Sequence, residues 1–145
     1  MCAIVGYIGD KNCRQMVLDG LTRLEYRGYD SAGIIFLDKR YKNFNYQKAI
    51  GSVTQLKKQP NHEICDGPIG MGHSRWATHG GVTEKNAHPH FNCDETVAVV
   101  HNGIIESFEE IRAKLIKDKH EFYSATDTEV IAHFFGTLIK QGLSL

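Results

Sequence analysis

Residues 2–9 read CAIVGYIG, a short apolar run closed by Gly9. Its length and its terminal glycine predict a buried strand rather than a helix. Because Cys2 directly follows Met1, this strand begins on a residue that becomes N-terminal once the initiator methionine is removed. Cysteine is small enough for that removal to be expected. A processed Cys2 carries a thiol and an α-amine on one residue. A thiol with a pKa of about 8.5 is only a few per cent thiolate at neutrality and needs a base. The α-amine, at about 7.7–8.0, is a main-chain group able to act as that base near physiological pH.

Outward from this run, Asp10 is placed to cap a helix in which Val17, Leu18, Leu21 and Leu24 recur at helical spacing. Residues 32–37 (AGIIFL) form a second apolar strand, and Phe44 and Tyr46 alternate with polar residues as in a half-exposed one. Residues 51–59 suit a short helix and residues 60–68 a polar loop, with further strands at 69–75 and 96–101. Ser107 with Glu110, and Thr126 with Glu129, match capping boxes. They predict helices to about Lys119 and, through Val130, Ile131, Phe134, Phe135 and Leu138, to Gly142. Strands cluster early and helices late, with no regular βαβ alternation, so the expected class is α+β with largely antiparallel strands.

A chain of 145 residues has room for one domain. An apolar content of 41% and a charged content of 23% describe a soluble globular protein. Seventeen acidic residues balance seventeen basic ones, which argues against nucleic acid or an anionic membrane as partner. No apolar stretch approaches a transmembrane helix, and the start lacks the pattern of an export signal. The four cysteines (Cys2, Cys13, Cys65, Cys93) form no CxxC pair. Free thiols in the cytoplasm are the expectation.

Four polar clusters interrupt the apolar pattern: LEYRGYDSAG (24–33), HSRWATHG (73–80), NAHPH (86–90) and HNGIIE (101–106). Arg75 is a planar cation suited to a carboxylate. Asn102-Gly103 offers a side-chain amide and a main-chain N–H, two donors of the kind an oxyanion needs; the same pair also suits a type I′ hairpin turn. Asp127, near a helix start, would stay ionised and could hold an ammonium group. Arg27 follows the first helix and could support the nucleophile. Together these groups would hold an amino acid by both ends beside a thiol.

The motifs, in this order and with VVHNGIIES and TDTEV added, resemble the glutaminase domains of the glucosamine-6-phosphate synthase family. These are class II glutamine amidotransferases of the N-terminal nucleophile hydrolase superfamily. Glutaminase domains of amidophosphoribosyltransferase and asparagine synthetase share the N-terminal Cys and the Asn-Gly pair, but typically differ at EYRGYDSAG and SRWATHG. The resemblance covers nearly the whole chain. It implies a four-layer αββα sandwich of two antiparallel sheets. It makes Cys2 the nucleophile, Asn102 and Gly103 the oxyanion hole, and places Arg27 and Gly28 close to the nucleophile. Arg75 would bind the α-carboxylate of glutamine and Asp127 its α-ammonium, with Trp76, Thr78 and His79 lining the pocket. No cofactor or metal is implied. In the full enzyme, a homo-oligomer, ammonia would pass to a second domain that aminates fructose 6-phosphate. Family domains continue beyond the point where this chain stops, so a domain truncated on its C-terminal side is expected, poorly active alone.

A rival reading is a metal-binding module, since His73, His79, His88, His90 and Cys93 fall within twenty-one positions. Structural zinc sites usually bring cysteine pairs and tight ligand spacing, which are absent here. The histidines are expected instead to hydrogen-bond within the loops that shape the pocket. A non-enzymatic binding domain is the reading if Met1 is retained.

Overall fold

The computed structural model describes residues 2–11, 13–28, 30–37, 43–59, 67–77 and 80–143. The elements are β1 (Ala3–Ile8), α1 (Cys13–Leu24), a 3-10 turn (Glu25–Arg27), β2 (Ser31–Leu37), β3 (Phe44–Ile50), α2 (Val53–Lys58), β4 (Ile69–Arg75), β5 (His90–Phe91), β6 (Ala98–Val99), α3 (Phe108–Lys117) and α4 (Glu129–Lys140). The first four strands form one antiparallel sheet in the order β1-β4-β2-β3, and β5 pairs with β6 in a second.

The layering follows from which side chains each strand turns which way. Along β2 every residue up to Phe36 is buried, because the strand is covered on both faces. Ala32, Ile34 and Phe36 face α1 and α2, where Val17, Leu18, Leu21, Val53 and Leu56 complete one core. Each fully buried aliphatic or aromatic side chain there contributes about 1.5–3 kcal/mol. The other face meets the segment leading into β5: Gly33 lies directly under the carbonyl of His88, and Phe44 and Tyr46 pack on Phe91 at 6.2 and 4.7 Å. Helix α4 packs on β5 and β6, and α3 on α4. The layer order is thus α, β, β, α, as the resemblance implied.

Gly33 is the tightest point between the sheets. A methyl group there would run into a main-chain carbonyl that cannot swing aside. Gly33→Ala is expected to destabilise the chain by about 3 kcal/mol, read as a lowered urea midpoint. An unchanged midpoint would mean the sheets are less closely apposed than described.

Several local expectations are corrected. Strand β1 is an edge strand, and Ile4 and Ile8 are 39% and 80% exposed, so it is not buried on both faces. Asp10 lies outside α1, which starts at Cys13. Residues 96–101 yield only the two-residue β6, because its partner β5 is equally short. Neither capping box forms. Ser107 precedes α3 in a left-handed conformation (φ 55°) without a side-chain cap. Helix α4 starts at Glu129, whose carboxylate accepts instead from the N–H groups of Tyr123 and Ser124, both at 2.7 Å. Phe134 and Ile139 of α4 are 49% and 41% exposed. The predicted loop at 60–68, with Cys65, falls mostly outside the described residues. No disulfide joins Cys2, Cys13 or Cys93. Among the described residues, no helix is long and apolar enough to cross a membrane.

Candidate active site

Antiparallel pairing of β1 with β4 sets Ala3 opposite Ser74, so the start of one strand lies beside the end of the other. Cys2 therefore meets Trp76, whose main-chain N–H donates to the Cys2 Sγ at 3.1 Å. Asp30, from the loop before β2, accepts from the N–H of Ala77 at 2.9 Å and holds the chain just beyond.

Cys2, Arg75, Trp76, Asn102, Gly103 and Asp127 line one cavity of about 430 Å³. That volume lies in the range of small-molecule sites. Arg75 is 3% exposed and donates to the carbonyls of Gly81 and Gly80 at 3.2 and 3.4 Å. Burial pulls its pKa below the ordinary value, while Cys2, Asp30 and Asp127 act the other way; an arginine remains cationic throughout. Asp127, 4% exposed, supplies the opposite charge. Its Oδ2 also accepts from the N–H of Ile105 at 2.8 Å, which ties it to the segment carrying Asn102 and Gly103.

The Asn-Gly pair makes no hairpin. It lies between β6 and α3, where Gly103 has φ +152° and its Cα faces the His101 ring closely enough to exclude a Cβ. Asn102 is held by His73, whose Nε2 lies 2.8 Å from Oδ1. An amide oxygen only accepts, so this bond places the proton on Nε2 and leaves the Asn102 NH₂ as the unoccupied end of its amide.

His73 is one of the residues missed as part of the site, with His88, His101, Ile104, Thr126 and Thr128. Their motifs had been legible, but not which of them face inward. His73 stacks on His88 at 4.0 Å, and His88 meets His90 edge-on at 4.6 Å. Burial, chiefly, pushes His73 down to about 4 and His90 to about 3, and drives His88 further down. Only neutral imidazoles can be packed this way beside Arg75. His88 Nδ1 accepts from the N–H of His101 at 3.3 Å, and His90 Nε2 bonds Thr126 Oγ1 at 3.0 Å. His73, His88 and His90 each hydrogen-bond a group that lines or braces the pocket, and they stack rather than converge on a point as metal ligands would.

These histidines take up protons near pH 6.5 when unfolded but only at about 4 or lower when folded. The unfolded state therefore binds more protons below about 6.5, and stability falls as pH falls through that window. Each group contributes up to about 1.4 kcal/mol per pH unit. Urea unfolding should give a stability lower at pH 5.5 than at 7.5 by about 4 kcal/mol. Equal values would show that the stack is not buried in neutral form.

Arg27 and Gly28 are not part of the cavity wall. The 3-10 turn carries Arg27 to an exposed position, and Gly28 braces β4 indirectly, its carbonyl accepting from the Ser74 hydroxyl. Thr78 and His79 lie outside the described residues.

An N-terminal strand bearing a cysteine, two apposed antiparallel sheets and outer helices make up the fold of the N-terminal-nucleophile amidotransferases. The solved B. subtilis glutamine phosphoribosylpyrophosphate amidotransferase, complexed with ADP and GMP, superposes with a TM-score of 0.77 at 25% identity, over 100% of this chain and 30% of that one. A structure described as the allosteric regulatory enzyme of purine biosynthesis gives 0.79 at 28% identity, again over 100% and 30%. The chain belongs to the glutamine amidotransferase domain family, whose model matches residues 58–144. More particularly, it is 50% identical over 140 residues to the glutamine–fructose-6-phosphate aminotransferase [isomerizing] of Methanococcus maripaludis, covering 97% of this chain and 23% of that protein. The protein of the same name from Pyrococcus horikoshii is 48% identical, over 100% of this chain and 23% of its own length. The chain thus spans about a quarter of the length of these relatives.

Proposed function

We propose that the chain hydrolyses glutamine to glutamate and ammonia, with Cys2 as nucleophile once Met1 is removed. The observation that carries this reading is the convergence of a thiol, an amide donor and two opposite buried charges on one amino-acid-sized cavity. The α-amine of Cys2 takes the thiol proton, and the thiolate attacks the side-chain amide carbon. The NH₂ of Asn102 and the N–H of Gly103 hold the resulting oxyanion. Ammonia leaves with the proton returned by the α-ammonium, and water then cleaves the γ-glutamyl thioester to release glutamate and the thiol. Arg75 binds the α-carboxylate and Asp127 the α-ammonium, with Trp76 beside them; Thr78 and His79 are retained as pocket residues on their sequence positions. Arg27 and Gly28 support the nucleophile from outside the cavity.

Residues 1–145 would then be the glutaminase portion of a longer aminotransferase that delivers ammonia to fructose 6-phosphate. The identity of about 50% to proteins of that name supports this. A cytoplasmic full enzyme that forms a homo-oligomer is the accompanying reading, and the balanced charge supports the absence of nucleic-acid or membrane partners.

A diazoketone analogue of glutamine tests the reading directly. It should label processed protein once, at Cys2, and intact mass should show Met1 absent; labelling undiminished in Cys2→Ala would overturn it. Arg75→Ala and Asp127→Asn should each raise KM for glutamine by about ten- to a hundredfold, the loss of a hydrogen bond to a charged group. Asparagine is chosen at 127 because its side-chain oxygen still accepts from Ile105. Unchanged KM in both variants would remove them from substrate binding.

A further inference from the structure

Away from the Cys2 cavity, three side chains from three segments converge. Cys93 follows β5, His120 lies in the connection between α3 and α4, and His133 is inside α4. Cys93 Sγ is 3.6 Å from His133 Nδ1 and 3.8 Å from His120 Nδ1, and the two ring nitrogens are 3.1 Å apart. A tetrahedral zinc with ordinary bond lengths sets sulfur–nitrogen separations of about 3.6 Å and nitrogen–nitrogen separations of about 3.3 Å.

A hydrogen bond at His120 and a nearby carboxylate at His133 place the imidazole protons on the outer nitrogens. Thr137 gives its hydroxyl proton to the carbonyl of His133 at 3.0 Å, so its oxygen accepts from His120 Nε2–H at 3.3 Å. His133 Nε2 faces the Glu129 carboxylate at 3.6 Å, which favours a proton there too. Both Nδ1 atoms then present lone pairs to each other and to the sulfur. Such an arrangement is repulsive when empty and is what a cation relieves. Outer-nitrogen contacts to a carboxylate and a hydroxyl are also how metal-binding histidines are oriented. The Cys93 sulfur accepts from the N–H of Glu121 at 3.4 Å, which fixes its position beside the two rings.

We propose that Cys93 Sγ, His120 Nδ1 and His133 Nδ1 form a zinc site that ties the segment after β5 and the α3–α4 connection to α4. Cys93 is exposed and lines a separate cavity of about 650 Å³, so the fourth position is open to water. Three protein ligands and a water satisfy tetrahedral zinc. Binding releases the Cys93 thiol proton to solvent. The site is distinct from the Cys2 cavity, and its likeness to a metal centre does not depend on glutamine hydrolysis. Because α4 begins two residues after Asp127, the metal would also steady the element that follows this residue.

The test is titration of tag-free protein with Zn²⁺ against a chromophoric chelator, and with Co²⁺ as a spectroscopic probe. Wild-type protein should bind one equivalent and show tetrahedral cobalt bands with a thiolate charge-transfer band. Its melting temperature should rise with zinc. Cys93→Ser should lose the charge-transfer band, and both it and His120→Gln should lose at least about tenfold in zinc affinity and most of the thermal shift. These two positions are less buried than His133, and circular dichroism would verify that the variants fold. Thr137→Val, which touches no metal, should weaken zinc by about tenfold through its effect on His120. No stoichiometric uptake by folded wild-type protein, or uptake with unaltered spectra and affinity in Cys93→Ser and His120→Gln, would overturn the proposal.

Discussion

Cys2→Ala should abolish ammonia release from glutamine, with turnover falling by at least about ten-thousandfold, the scale seen when a covalent nucleophile is removed. On the proposed mechanism the Cys2 sulfur is the reacting atom, and among the described residues no other thiol reaches the cavity. Cys13 is buried at the start of α1, and Cys93 is turned toward His120 and His133 rather than toward the cavity. The cavity with Arg75 and Asp127 is left in place, so the variant should still bind glutamine, measurable by equilibrium titration. Loss of turnover with retained binding would separate chemistry from recognition. Turnover within tenfold of wild type would show that the thiol is not the nucleophile. Retaining Met1 should have the same effect as the substitution, because it acylates the amine that the proposed mechanism uses as base.

Asn102→Ala should lower kcat by about a hundred- to a thousandfold with little change in KM, because an oxyanion donor acts on charge that exists only in the transition state. The structure sharpens this expectation. Asn102 is aimed by His73, whose Nε2–H holds Oδ1 at 2.8 Å. His73→Phe keeps a ring of similar size against His88 but removes that bond. It should reproduce part of the loss in kcat, by about tenfold, while leaving the labelling of Cys2 intact. An Asn102→Ala enzyme altered only in KM would remove this residue from the oxyanion hole.

The strongly apolar segments were legible because burial on a sheet writes itself into local composition. The strand at Ile69–Arg75 and the apolar face of α1 are found where the pattern put them. Segments whose structure depends on a distant partner were not. Strand β5 is two residues of a polar, histidine-rich stretch and exists only because β6 pairs with it. The two capping boxes match the pattern but are not built. Glu129 is drawn instead to the N–H groups of Tyr123 and Ser124, where three hydrogen bonds hold its carboxylate in the interior.

Taken alone, the sequence determined the class of fold and singled out the thiol of Cys2 and most of the polar groups that share its cavity, since each is a residue type with its own chemistry at a recognisable place in a motif. Only the tertiary structure decided which of them share a cavity. Arg27 belongs to the same motif as Gly33 yet stands outside the wall, while His73, read as a loop former, orients Asn102 from 29 residues away. Cys93 was grouped by proximity with His88 and His90, but it turns to His120 and His133, 27 and 40 residues along the chain. The physical reason is the same throughout. Periodicity and residue chemistry are local properties, whereas a hydrogen bond, a charge pair or a ligand set needs atoms within a few ångströms, and the packing of two sheets and four helices brings those atoms together.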